Sequence, residues 1–299
     1  MKTLLMAALA AATLAALPVH AEDTLAKIKS TGSVTMGVRE SSGALSYTLG
    51  DGKYVGFHVE ICRRVLADIQ KQLGLARLDI KYQPVTSQNR IPLVANGTVD
   101  LECGSTTNSA ARQKEAAFAV TTYVEEVRIA VKANSGITSI AQLAGKTVAT
   151  TTGTTSVLLL RKNERAKGID FKELYGKDHS DSFLLLESGR ADAFVMDGQI
   201  LAGNIAKAKH PADFKIVGEP LSVEPIAIML RKDDPAFKKA VDDHIIAMMK
   251  SGEIAKLYDK WFMQPIPPTN TALNLPASAA TQYAWAHPND KPVEDYEKK

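Results

Sequence analysis

Apolar positions along the chain switch repeatedly between two periods. Val34, Met36 and Val38 alternate with smaller or polar residues over 33–38, as in a strand. Val59, Ile61, Cys62, Val65, Leu66, Ile69 and Leu73 then recur along one helical face that stops at Gly74. Residues 78–82 are strand-like. Ile91, Leu93 and Val94 form a short amphipathic turn ending at Asn96-Gly97, and 99–103 alternates as the next strand. The same succession returns later. Strands are expected at 146–149, 172–174, 191–196 and 214–217, with helices at 157–162, 183–188 and 199–207. Short helices at 24–29 and around Ile140 and Leu143, and a hairpin-like excursion about Asp51-Gly52, fill the gaps. Two amphipathic helices, 235–249 and 252–262, close the pattern before Pro265, Pro267 and Pro268. The polar tail, 271–299, is expected to be loosely attached.

Two extended runs, 121–132 and 221–231, are long enough to leave one lobe and enter another. They divide the chain into a discontinuous first lobe, 22–128 with 226–270, and an inserted second lobe, 129–225. Alternating strands and helices predict an α/β fold, each lobe a mostly parallel sheet flanked by helices, with two hinge strands. Ligands of such sheets sit beyond the C-terminal strand ends. Arg39, Ser105, Thr155 and Asp197 all follow predicted strand ends.

At 299 residues, 45% hydrophobic and 23% charged, the composition suits two globular lobes. A net charge of +3, with Lys and Arg scattered among Asp and Glu, argues against a nucleic-acid partner. The first residues change the picture more. Lys2, an apolar run over 4–17 and Val19-His20-Ala21 have the form of a secretory signal peptide cleaved after about Ala21. The two cysteines, Cys62 and Cys103, are either a disulfide, if their Cα atoms come within about 7 Å, or two buried thiols.

Candidate chemistry gathers in residues 86–112. Arg90 precedes the strand at 99–103, the small hydroxylated run Gly104-Ser105-Thr106-Thr107-Asn108 follows it, and Arg112 comes next. A planar guanidinium fork matches the two oxygens of a carboxylate. Gly153-Thr154-Thr155-Ser156 then places hydroxyls at a helix N-terminus, a setting for an anion, though no Gly-Lys-[Ser/Thr] makes it a P-loop. No G-x-S-x-G, H-E-x-x-H or Cys-x-x-Cys motif is present, and no metal or cofactor is expected.

Several longer polar blocks carry a resemblance. They include Gly37-Val38-Arg39-Glu40-Ser41-Ser42, Thr86-Ser87-Gln88-Asn89-Arg90-Ile91-Pro92-Leu93, Glu102-Cys103-Gly104-Ser105-Thr106-Thr107-Asn108, Lys177-Asp178-His179 and Leu186-Glu187-Ser188-Gly189-Arg190-Ala191. With the end Lys260-Trp261-Phe262-Met263-Gln264-Pro265, the mature chain resembles the periplasmic amino-acid-binding proteins of ABC transporters, solute-binding protein family 3, most closely their glutamate/aspartate branch. The resemblance implies a type II periplasmic-binding-protein fold. It also implies a monomeric, non-enzymatic periplasmic protein that hands its ligand to a membrane permease. It assigns the ligand's α-carboxylate to Arg112 with Ser105 and Thr107, and the α-ammonium to Asp197. The distal carboxylate falls to Arg39 and Arg90, with His179 as a further basic group. Ser87 joins these ligand-binding residues, and Thr154 and Thr155 close the second lobe on the ligand. Three arginines against one aspartate leave about two positive charges in such a pocket, which suits a ligand with one net negative charge.

The chain departs from the family pattern at Ala44-Leu45, where an aromatic is common, and at Ile228, where a cysteine often stands. The disulfide that the resemblance implies for Cys103 thus lacks its usual partner, and whether Cys62 takes that place the sequence leaves open. Competing readings are a sensory binder of polar amino acids or dicarboxylates, and a dehydratase-like enzyme on the same fold. Arg128 and Arg231 are candidates for inter-lobe salt bridges, Asp181, Asp233 and Asp234 for helix N-terminal acids, and Met248-Met249 for core.

Overall fold

A computed structural model describes residues 23–296, so the proposed signal peptide lies outside the described residues. The first part of the chain runs α1 (Thr24–Thr31), β1 (Ser33–Val38), β2 (Ser41–Ser42), β3 (Ser46–Thr48), β4 (Tyr54–Val55), α2 (Phe57–Gln72) and β5 (Asp79–Pro84). It continues through α3 (Arg90–Ala95), β6 (Leu101–Glu102) and β7 (Ala116–Phe118) into the crossing strand β8 (Tyr123–Lys132). The inserted part is β9 (Thr147–Thr151), α4 (Thr155–Lys167), β10 (Lys172–Gly176), α5 (His179–Glu187), β11 (Ala193–Asp197) and α6 (Gly198–Lys207). The return strand β12 (Phe214–Ile226) leads to β13 (Met229–Arg231), α7 (Pro235–Lys250), α8 (Glu253–Tyr258), α9 (Ala279–Ala286) and α10 (Val293–Tyr296).

Two five-stranded sheets result, in the orders β5-β1-β6-β13-β7 and β10-β9-β11-β8-β12. Neither is mostly parallel. β1 runs parallel to β5 and β6, and β9 parallel to β10 and β11, but β13, β8 and β12 all pair antiparallel with their neighbours. The antiparallel members are the strands by which the chain passes between the sheets or returns, and these need no helical crossover. β8 and β12 pair with each other along most of their length, so the two passages form one ribbon.

Each sheet is buried on both faces. Met36, Leu66, Ile69, Phe237 and Phe262 belong to the first core. In the second sheet Val148 and Val195 pack with Leu160 on one side, and Ala149 and Phe194 with Leu186 and Leu201 on the other. Met248 and Met249 are core residues, as expected. Cys62 on α2 and Cys103 just past β6 form a disulfide, with Cα atoms 6.5 Å apart.

The tail is not loose. α9 lies against β8: the Thr281 hydroxyl donates to the Val124 carbonyl and the Trp285 indole N–H donates to the Thr122 carbonyl at 2.8 Å. Further on, the Thr121 N–H donates to the Asn289 carbonyl and the Val293 N–H to the Asn108 carbonyl. Polar composition hid this, because the tail is held at a few points by side chains and backbone groups rather than by a continuous apolar stripe.

Candidate functional site

The segments beyond the ends of β1, β6, β9 and β10 meet across the gap between the sheets, with Asp197 at the end of β11 beside them, where the strand-end rule places a ligand. Arg39, the residue after β1, is fully buried. Its guanidinium crosses the gap to Asp178 at 3.1 Å, and also donates to the Ser87 hydroxyl at 2.9 Å. His179 lies beside it, its Nε2 3.2 Å from Arg39 Nη2 and its Nδ1 3.0 Å from the Thr151 hydroxyl. Arginine offers only donors, so Nε2 accepts at that contact. Burial, and then the charge of Arg39, pushes His179 down to about 3. His179 is therefore neutral, an acceptor that orients Arg39, and not the extra basic group expected.

Arg90 opens α3, is buried, and donates to the Ser105 carbonyl at 3.2 Å. Burial, with the nearby charges of Arg112 and Arg39, drives it well below its ordinary value. Arg112 begins a short 3-10 turn and is half-buried. It donates to the Thr107 carbonyl at 2.9 Å and, across the gap, to the Gly153 carbonyl at 3.3 Å. Among the described residues, neither Arg90 nor Arg112 forms an ion pair with a carboxylate, unlike Arg39.

The hydroxyls are already partly committed. Ser105 Oγ donates to Ser42 Oγ at 3.1 Å, and Thr154, the N-cap position of α4, donates to the Thr151 carbonyl at 2.7 Å. Thr107 and Thr155 both donate to one oxygen of Glu224. Gly153, at φ +80°, lets the loop before α4 approach the backbone of Gln88. A Cβ there would lie 2.8 Å from Gln88 N and Cα.

Asp197 ends β11 and is buried, yet its carboxylate takes no hydrogen bond from any described residue. Burial, and next the charge of Glu224, pushes it up to about 7, against the pull of Arg90, Arg112 and Arg39. Glu125 lies nearby on β8 and is raised well above its ordinary value, by burial first and then by Asp197. The expected positions thus lie where the two lobes meet, with Thr154 bonded only within its own loop.

Sequence reasoning missed four groups in it. Asp178 neutralises Arg39, and Glu102 is buried with one oxygen unbonded. Glu224 collects hydroxyls from both sides, and the Gln199 side chain accepts from the Ala44 N–H across the gap at 3.0 Å. Asp178 and Glu102 lie within the polar blocks 177–179 and 102–108, whereas Glu224 lies on a hinge strand with no motif around it. The balance of three arginines against one aspartate therefore does not hold. Of the arginines and aspartate expected to meet the ligand, Arg90, Arg112 and Asp197 make no direct ion pair among the described residues, although their charges act on one another.

Arg128 and Arg231 do not bridge the lobes through the ion pairs seen: Arg128 meets Glu126 at 3.2 Å and Arg231 meets Asp234 at 3.2 Å. Asp234 and Asp181 are helix N-terminal acids, as expected. No group of His, Cys, Asp or Glu able to hold a metal ion occurs among the described residues, nor any helix long and apolar enough to cross a membrane.

The chain is 46% identical over 271 residues to a glutamate/aspartate import solute-binding protein of Escherichia coli strain K12, covering 91% of this chain and 90% of that protein. It is 46% identical over 297 residues to an L-glutamate/L-aspartate-binding protein of Pseudomonas aeruginosa, covering 98% of each. The structure matches that of a solute receptor for L-cysteine of Neisseria gonorrhoeae with a TM-score of 0.71 at 26% identity, covering 80% of this chain and 93% of that one. Residues 34–264 match the family model for bacterial extracellular solute-binding proteins, family 3, and the chain belongs to that family of binding proteins rather than to an enzyme family.

Proposed function

We propose that the protein captures an acidic L-amino acid, glutamate or aspartate, between its two lobes and delivers it to the permease of an ABC transporter. One observation carries the reading. The cleft holds two guanidinium groups without a carboxylate partner, Arg90 and Arg112, and one buried carboxylate without a donor, Asp197. Two carboxylates and one ammonium on a short chain complement that set. A neutral amino acid would leave one guanidinium uncompensated in a poorly solvated space.

In this reading Arg112 takes the α-carboxylate with Ser105 and the backbone N–H of Thr107, and Asp197 takes the α-ammonium. Arg90 takes the distal carboxylate, with Ser87, Arg39 and His179 as a hydrogen-bonded wall and Thr154 and Thr155 facing from the second lobe. Residues 22–128 and 226–270 act as one closing body and 129–225 as the other. The protein works as a periplasmic monomer after cleavage near Ala21. The names of the two 46% identical relatives support the ligand class. Calorimetric titration of ligand-stripped protein with a panel of common amino acids tests the proposal. Glutamate or aspartate should bind, and glutamine bound as tightly as glutamate would refute the acidic-ligand reading.

A further inference from the structure

A single oxygen of Glu224 is held from both sides of the cleft. Thr107, on the loop after β6, donates to its Oε2 at 2.6 Å. Thr155, in the first turn of α4, donates to the same atom at 2.8 Å. Ser222, two residues back on β12, donates to Oε1 at 2.8 Å, and Glu224 itself is only 2% exposed. The backbone keeps these partners in place: Asn108 N–H donates to the Pro225 carbonyl and Ala227 N–H to the Thr106 carbonyl. All three hydroxyls donate their hydrogen to Glu224, whose carboxylate oxygens accept. Thr107 and Thr155 keep only lone pairs for any other partner.

Resting on the amino-acid reading above, we propose that Glu224 is a positioning residue for ligand selection. It bridges the two lobes and fixes Thr107 and Thr155 as acceptors, so that the site selects ligands bearing an ammonium group over dicarboxylates without one. An ammonium carries three hydrogens and no acceptor, and the unbonded Asp197 carboxylate does not satisfy all of them in every direction. A freely rotating hydroxyl would serve an anion as donor equally well, whereas a hydroxyl held by Glu224 serves only a donor. The charge of Glu224 acts in the same sense. It sits close enough to Asp197 to be the leading electrostatic influence raising that group, in a cleft where Arg90, Arg112 and Arg39 pull the other way and Glu125 stands behind.

The test compares L-glutamate with glutarate, the same dicarboxylate without the ammonium, by calorimetry at one pH. The unmodified protein should prefer glutamate. Glu224→Met keeps the length of the side chain and removes both its charge and its acceptors. Glutamate binding should then weaken about tenfold or more, while glutarate holds or tightens, so the preference shrinks. Glu224→Gln, closer in shape, should shrink the preference in the same direction and decides the matter should the Met variant not fold. If Glu224 only supported the hinge, both ligands would weaken by the same factor and the ratio would stay. An unchanged ratio overturns the inference alone. An unmodified protein that binds glutamate no better than glutarate brings down the amino-acid reading, and this inference with it.

Discussion

Arg112 and Arg90 differ from Arg39 in lacking a carboxylate partner among the described residues, and that difference sets what their loss should do. Arg112→Ala should weaken every amino-acid ligand by about 2–5 kcal/mol, the range for truncating one member of a buried charge pair. Arg112→Lys should recover only part of this, since an ammonium lacks the planar fork. Arg90→Ala should act on selectivity. The charged hydrogen bond it removes contributes about 1.5–3 kcal/mol, so an initial ten- to hundredfold preference for glutamate over glutamine should narrow, with glutamine binding little changed. Isothermal titration reads both, and undiminished binding in Arg112→Ala would remove that residue from the site.

Asp197 adds a pH dependence. Pushed up to about 7 by burial and Glu224, it holds a proton below that pH, and an ammonium ligand must displace it. Glutamate affinity should therefore fall by up to about tenfold for each pH unit below 7 and level off above it. Asp197→Asn should flatten the slope. For folding the sign is opposite: a raised carboxylate stabilises the ligand-free fold at low pH and loses that contribution as pH rises through about 7. The arginines and hydroxyls of the site were legible because they sit at strand ends in polar blocks. Their counter-charges were not, since whether Asp178 meets Arg39 or Glu224 meets Thr107 depends on how two lobes far apart in sequence come together.

At the scale of elements, periodicity located nearly every helix and strand, and its misses have local causes. α5 begins at His179 and not near 183 because Asp178 and Asp181 start it through side-chain capping, which leaves no apolar trace. The extended run expected over 221–231 is broken between β12 and β13, where the chain leaves one sheet for the other. Strand direction was the larger error. Both sheets are covered on both faces, so strands of either direction carry apolar residues on both sides, and β8, β12 and β13 could not be told apart from the rest. The tail escaped for a different reason. Its anchors, Thr281, Trp285 and Asn289, are single residues that pair with 121–124 at the start of the crossing ribbon. Truncation after residue 270 should therefore lower stability by about 2 kcal/mol, the scale of one large buried side chain. The melting temperature should fall by roughly 4–8 °C. Thermal unfolding followed by circular dichroism checks this, and an unchanged midpoint would mean that the tail only rests on the hinge.

For the whole molecule the decisive feature is how tightly the two lobes meet. Asp178 reaches Arg39 and Ser41, Gln199 reaches Ala44, and Arg112 reaches Gly153, each contact made across the gap. The lobes share the β8–β12 ribbon as their covalent link, with the tail packed against its start, so relative motion has to bend that ribbon. A ligand with groups for both lobes shifts the population toward the closed state by its differential affinity for it. Small-angle scattering should then show a smaller radius of gyration with saturating glutamate than for ligand-stripped protein. Gly153 offers a sharper version of the same experiment. In the closed arrangement an added Cβ would lie 2.8 Å from the Gln88 backbone N and Cα and 2.9 Å from the Ser87 carbonyl carbon, and backbone atoms cannot rotate out of the way. Its φ of +80° also disfavours any other residue, by roughly 1 kcal/mol, but that strain is present open or closed and acts on stability alone. The clash exists only when the lobes meet. Gly153→Ala should therefore keep both lobes folded, bind glutamate more weakly, and fail to reach the compact profile even at saturation. A variant that compacts as fully as the unmodified protein would show that closure stops short of the Gly153–Gln88 contact.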